Sequence, residues 1–235
     1  MRGVKFGNIH TYEKWGLILT TTNIGFPEPK VETVNIPGAD GELDFTKSLT
    51  GDVKYKNRVL TFTFVTVEKY KNWKNLISEI SNFLHGQYFK ILLDEDMNFY
   101  YYGRAEVNQF KSNKSIGEIT IECDVEPYKY DLYSSDEDWL WDPFNFENGI
   151  INEMKDLVVN GELEVTIVGR RKRVVPKFIC KIEDENGLEL IFNEQTYNLS
   201  NGTNYSPDIE ICEGENVLKF VGNGMVTIEY RGGSL

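Results

Sequence analysis

The chain has 235 residues, 40% of them hydrophobic, with a net charge of −12 from 25 basic and 37 acidic side chains. That length builds one large or two medium domains with real cores. The composition excludes a disordered chain, and the acidic balance removes any general electrostatic drive to wrap DNA. No stretch approaches the roughly 18 apolar residues that would span a membrane. The start, Met1-Arg2-Gly3-Val4-Lys5-Phe6-Gly7, lacks the apolar run of a secretory signal, so the expectation is a protein made in the cytosol that binds no membrane.

The first distinctive segment lies between Asn35 and Gly51. Ile36-Pro37-Gly38-Ala39-Asp40-Gly41-Glu42-Leu43-Asp44 carries turn formers and few core-sized residues. It reads as a long projecting hairpin or arm, turned by Pro37-Gly38 and Asp40-Gly41. An arm with so few self-contacts needs a partner. Ile36, Pro37, Gly38, Asp40, Gly41, Leu43 and Phe45 are therefore the candidate oligomer-interface residues.

Next, Leu60-Thr61-Phe62-Thr63-Phe64 alternates apolar and hydroxyl side chains, the period of a half-buried strand. From Glu68 to His85 the spacing changes. Tyr70, Trp73, Leu76, Ile77, Ile80, Phe83 and Leu84 recur every three or four residues, which predicts one helix lying across a sheet, with Gly86 placed for a left-handed cap. Arg104 to Phe110 pairs with a strand in which Ile119, Ile121, Cys123 and Val125 alternate with polar residues. Ser112-Asn113-Lys114-Ser115 forms their turn.

Asp131 to Ile150 holds six acidic and no basic residues and marks a boundary. The expected organisation is 1–130, an acidic aromatic linker over 131–150, and a second domain over 151–235. Trp139, Trp141, Phe144 and Phe146 lie in the linker. They serve either as ligand-binding aromatics or to pack it onto a neighbouring domain. Beyond it, short strands read at Glu162–Ile167, Phe178–Ile182, Leu188–Phe192, Ile209–Cys212, Val217–Val221 and Met225–Tyr230. Turns are expected at Glu185-Asn186-Gly187, Ser200-Asn201-Gly202 and Gly222-Asn223-Gly224. Such spacing suggests a β-sandwich or jelly roll.

Chemistry-bearing motifs are sparse. His10 and His85 are the two histidines, and no nucleophile elbow, P-loop, dinucleotide fingerprint or EF-hand spacing occurs. Asp94-Glu95-Asp96 reads as a turn after Ile91-Leu92-Leu93 rather than a carboxylate site. Cys123, Cys180 and Cys212 sit in strand-like runs without CxxC spacing, so they read as buried apolar residues. Gly169-Arg170-Arg171-Lys172-Arg173 reads as a solvated turn rather than a nucleic-acid patch. No enzyme, cofactor or metal site is expected.

Several segments resemble siphophage distal tail proteins. These are Met1–Thr11 with Trp15-Gly16-Leu17; Pro27-Glu28-Pro29-Lys30; Asn35–Asp44; and Gly51-Asp52-Val53-Lys54-Tyr55-Lys56-Asn57-Arg58. Gly214-Glu215-Asn216-Val217-Leu218 and Ile228-Glu229-Tyr230-Arg231 are similar to the end of that family's carboxyl domain. The resemblance implies a mainly β fold: a tail-tube-like first domain of two packed sheets with one helix, then a galectin-like sandwich. It implies a structural hub at the tail tip, a homo-oligomer closed as a hexameric ring around a channel. The implied partners are the tail tube protein, the tape-measure or tail-associated protein, and a receptor-binding or baseplate protein, with no sequence-specific nucleic acid. The competing reading is a host-surface carbohydrate-binding adaptor.

Overall fold

The computed structural model describes residues 2–66, 68–113, 116–137, 153–182 and 187–235. In chain order the elements are β1 (Val4–Phe6), β2 (Ile9–His10), α1 (Thr11–Trp15), β3 (Leu17–Ile24), β4 (Thr33–Asn35), β5 (Glu42–Asp44), β6 (Arg58–Thr66), α2 (Trp73–Leu84), β7 (Gln87–Leu93), β8 (Phe99–Ser112), β9 (Gly117–Val125) and β10 (Lys129–Asp131). They continue as β11 (Leu157–Gly169), β12 (Lys177–Ile182), β13 (Leu188–Phe192), β14 (Gln195–Leu199), β15 (Gly202–Tyr205), β16 (Gly214–Glu229) and β17 (Gly233–Ser234). The chain is mainly β. It divides into two compact units. One holds the residues up to Asp96, Tyr100–Lys129 and Leu235; the other holds Met97–Phe99 and Tyr130–Ser234.

In the first unit the hydrogen-bonded order is β2-β1-β7-β8-β9-β6-β3, while β4 and β5 pair only with each other. The expected β domain is present. Its strands follow one hydrogen-bonded order, with the β4–β5 ribbon separate. The alternation read in β6 and β9 places Leu60, Phe62, Phe64, Ile119, Ile121 and Cys123 on the buried side. The stripe on α2 covers that side: Leu76, Ile80 and Leu84 join the same cluster. The helix begins at Trp73, after a 3-10 turn over Tyr70–Asn72, and Gly86 takes the left-handed φ of +78° just beyond its His85 cap. Burying Leu76 and Ile80 stabilises this unit by about 1.5–3 kcal/mol each.

A second, short helix was not anticipated. The His10 side chain accepts the Glu13 N–H and caps α1, and Gly16 ends it at φ +62°. Trp15 packs edge-on against Phe83, with its indole N–H on Glu79, which ties α1 to α2.

In the second unit β16 organises the sheet. β11 lines one edge from Gly214 to Val226. On the other edge the partner changes: β13 pairs with Lys219–Gly222 and β12 with Gly224–Glu229. Gly222-Asn223-Gly224 is therefore no turn, and the two strands expected around it are one. At φ +127° a Cβ on Gly222 would lie 2.5 Å from the Gly187 carbonyl oxygen, and one on Gly224 would lie 2.6 Å from that of Lys181. Glycine lets two strands meet one kinked strand there. Phe178, Leu190, Leu218, Phe220, Val226 and Ile228 fill the core beneath.

Ile209–Cys212 is not a strand. Only Ile211 forms a bridge, to Val174. The Asn216 amide satisfies this backbone instead, accepting the Cys212 N–H at 2.9 Å and donating to the Cys212 carbonyl at 2.8 Å. Cys123 and Cys180 are buried as expected, whereas Cys212 is half-buried outside any strand. Glu185 and Asn186 of the expected Glu185-Asn186-Gly187 turn lie outside the described residues, while Ser200-Asn201-Gly202 joins β14 to β15.

Candidate functional site

The β4–β5 ribbon is the most exposed part of the first unit. Thr33 faces Asp44, Val34 faces Leu43, and Asn35 faces Glu42. Ile36–Gly41 forms the tip, closed by the Ala39 N–H on the Ile36 carbonyl at 3.1 Å, with Gly38 at φ +87° and Gly41 at φ +76°. Those positive angles explain why glycine occupies both positions. At the root, Pro29 bridges Tyr55, the Lys30 N–H donates to Lys54, and the Lys56 N–H donates to Glu28.

The arm is polar in its turns and apolar along its flanks. Ile36, Leu43, Phe45 and Leu49 are all exposed, Leu49 at 97%. Pro37, Gly38, Asp40 and Gly41 are exposed as well. Asp44 accepts the Thr46 N–H at 2.8 Å. Hydrogen bonds from Thr46 hold its carboxyl below the usual aspartate value. Where few core-sized residues were read, the arm carries an apolar surface that its own subunit leaves in water. Trp139, Trp141 and Phe144 lie outside the described residues.

Arg58 begins β6 at the root of this arm and is 4% exposed. Its guanidinium lies 4.8 Å from the Tyr101 ring centroid. Nε and Nη2 have no hydrogen-bond partner among the described residues. Burial lowers the Arg58 pKa and raises that of Tyr101. The resemblance includes Arg58 at the end of one segment but does not single it out as a site residue. The available signal was parity: Arg58 falls on the same alternation as Leu60, Phe62 and Phe64.

The residues weighed for catalysis are engaged structurally. His10 Nε2 lies 3.1 Å from Asp94 Oδ2, and that oxygen accepts the Gly3 N–H at 2.7 Å. The neighbouring Thr11 hydroxyl accepts the Val4 N–H. Glu95 pairs with Arg2 and Asp96 with Lys129. His85 Nδ1 accepts the Val107 N–H. Among the described residues no cluster of three or more His, Cys, Asp or Glu is arranged to hold a metal ion.

The basic run after β11 is a turn, but its cations are paired rather than merely solvated. Arg170 meets Asp131 at 2.9 Å, Arg171 meets Glu213, Arg173 meets Glu210, and Lys172 stacks on Tyr130. These pairs leave no uncompensated basic patch in the run.

No protein-family model and no curated protein matches the chain. A solved structure does: the SPP1 Dit (gp 19.1) protein, called a paradigm of the hub adsorption apparatus in Gram-positive infecting phages. The TM-score is 0.65 at 11% identity, covering 98% of this chain and 99% of that one. The chain has the Dit fold. The phage p2 baseplate in its activated conformation with Sr also aligns, over 99% of this chain and 97% of that one. Its TM-score of 0.36 at 8% identity is too low to support an argument. The Dit likeness runs through both units, so the helix-bearing β unit and the second β unit occur together in one known architecture.

Proposed function

We propose that the chain is a non-enzymatic structural hub at the distal tip of a phage tail. In this reading six copies close into a ring, made in the host cytoplasm and carried in the virion. The ring joins the tail tube and its tape-measure or tail-associated protein to a receptor-binding or baseplate protein. The observation that carries the reading is the end-to-end Dit likeness, 98% of this chain against 99% of the other.

The arm supports it from physical chemistry. Isolated two-stranded hairpins are marginal in water, and this one exposes Val34, Ile36, Leu43 and Phe45. An identical neighbour would cover that surface, and repetition of one heterologous contact closes a ring.

Light scattering behind size-exclusion chromatography tests the reading, with negative-stain images for symmetry. A six-fold ring is expected. Deleting Pro37–Thr50 should leave both folded units intact and abolish the ring. A full-length chain that stays monomeric at high concentration refutes self-assembly, and a ring that survives the deletion refutes the arm's part in it.

A further inference from the structure

Arginine is seldom buried unless its charge is paired. Every other described arginine in this chain reaches an oxygen. Arg2 pairs with Glu95, Arg104 donates to the Gly86 carbonyl, Arg170 pairs with Asp131, Arg171 with Glu213, Arg173 with Glu210, and Arg231 with Glu137. Arg58 is the exception and is also among the most buried, at 4% exposure. The two atoms left without a partner among the described residues are Nε and Nη2. Together they form one edge of the guanidinium fork, spaced to take both oxygens of a carboxylate. Tyr101 stacks on the face and leaves that edge unsatisfied.

The position is as informative as the chemistry. Arg58 opens β6 where the chain returns from the arm, two residues after the Lys56–Glu28 backbone bond. The arm itself carries acids at its far end. Asp40 lies in the tip and Glu42 opens β5, both exposed. Neither has an ion pair among the described residues, while Asp44 is held by Thr46. Ten extended residues from the Pro29 bridge to the tip reach roughly 30 Å, far enough to leave the subunit that bears them.

We propose that Arg58 is a carboxylate-binding site filled on assembly, with the carboxylate supplied by Asp40 or Glu42 on the arm of a second copy. This rests on the hub reading and names the partner group within it. Each copy then offers an acid at its arm tip and a waiting guanidinium at its arm root, which is the head-to-tail complementarity a ring requires. The unpaired edge is sealed in the single chain, so docking includes a local shift where β6 begins.

The test uses the full chain in a concentration series by light scattering, alongside thermal melting of the dissociated form. Arg58→Met and the double variant Asp40→Asn/Glu42→Gln should each weaken association by on the order of 30-fold. Combining them should add nothing further. Arg58→Lys keeps the charge without the planar edge and should also weaken association, so it decides the matter if Arg58→Met misfolds. Arg58→Met should not lower the melting temperature of the dissociated chain. A lowered melting temperature would mean Arg58 is already satisfied within its own subunit, and the proposal fails. Association within threefold of wild type, in a chain that the arm deletion still disperses, overturns the Arg58 site and leaves the hub reading intact. Additive effects of the arginine and acid variants overturn the arm acids as the source. A wild-type chain that never associates overturns both.

Discussion

Gly222→Ala separates two costs that usually come together. Gly222 and Gly161 face each other across β11 and β16, and both have positive φ, +127° and +80°. A Cβ on Gly161 meets nothing within 4 Å, whereas one on Gly222 would sit 2.5 Å from the Gly187 carbonyl oxygen. Gly161→Ala therefore carries the backbone penalty alone, ~1–2 kcal/mol. Gly222→Ala carries ~1–3 kcal/mol for a conformation nearly restricted to glycine, plus ~1–3 kcal/mol for forcing β13 away from the kink. For a domain of about a hundred residues each kcal/mol moves the melting temperature by ~4–8 °C. The second unit's transition should fall by about 10–45 °C for Gly222→Ala and about 5–15 °C for Gly161→Ala. Differential scanning calorimetry on the two variants reads the difference. Equal shifts, or a Gly222 variant that melts within 2 °C of wild type, would show that β16 does not need glycine to change partners.

Three other outcomes follow from buried groups. Asn216→Ala strips partners from the Cys212 N–H and from the Cys212 and Gly214 carbonyls; denaturant titration should show ~2–4 kcal/mol lost from the second unit, and a loss under 0.5 kcal/mol contradicts this. Ile80→Ala opens a cavity in the core cluster of the first unit and should cost that unit ~2–5 kcal/mol, with the second unit's transition unmoved. Burial pushes the Cys180 thiol up from 9.0 to about 11 and raises the Cys123 thiol and Tyr230 phenol as well. Since the unfolded chain ionises first, stability should be full below about pH 9 and decline as pH climbs towards 11; a flat profile there argues against burial of these groups. Below pH 9 a thiol reagent should label Cys212 ahead of both.

Periodic segments were legible because one local pattern decides them. Leu60-Thr61-Phe62 and the stripe from Trp73 to Leu84 contain their own geometry. The failures have the opposite character. α1 is five residues long, too short for a 3.6-residue period, and only its ends, His10 and Gly16, could have announced it. Gly222-Asn223-Gly224 has turn chemistry, but in β16 the glycines admit neighbouring strands. That approach is a tertiary fact with no local signature. Cys212 lost its strand to Asn216, whose amide competes with ladder pairing from four residues away. The arm's hairpin could be read from Pro37-Gly38 and Asp40-Gly41, because each pair has its own turn preference. Its exposed apolar flanks could not, since alternation does not say that both faces of a ribbon stay wet.

Arg58 connects these limits to the proposed function. A sequence records that a charged residue falls on the core-facing parity of β6, yet parity alone does not distinguish a paired charge from an orphan. The structure makes that distinction: Asp131 answers Arg170, and no described residue answers the Nε–Nη2 edge of Arg58. Leaving such an edge unpaired in a buried place opposes the fold of the single chain. Leaving Leu43, Phe45 and Leu49 in water opposes it at the surface of the arm. Both deficits sit on one continuous segment, from Val31 to Arg58, and covering the arm with a neighbouring copy would relieve both in a single contact. A chain that is suboptimal alone in two linked places, and sound across both its cores, has the energetics that the proposed assembly would complete.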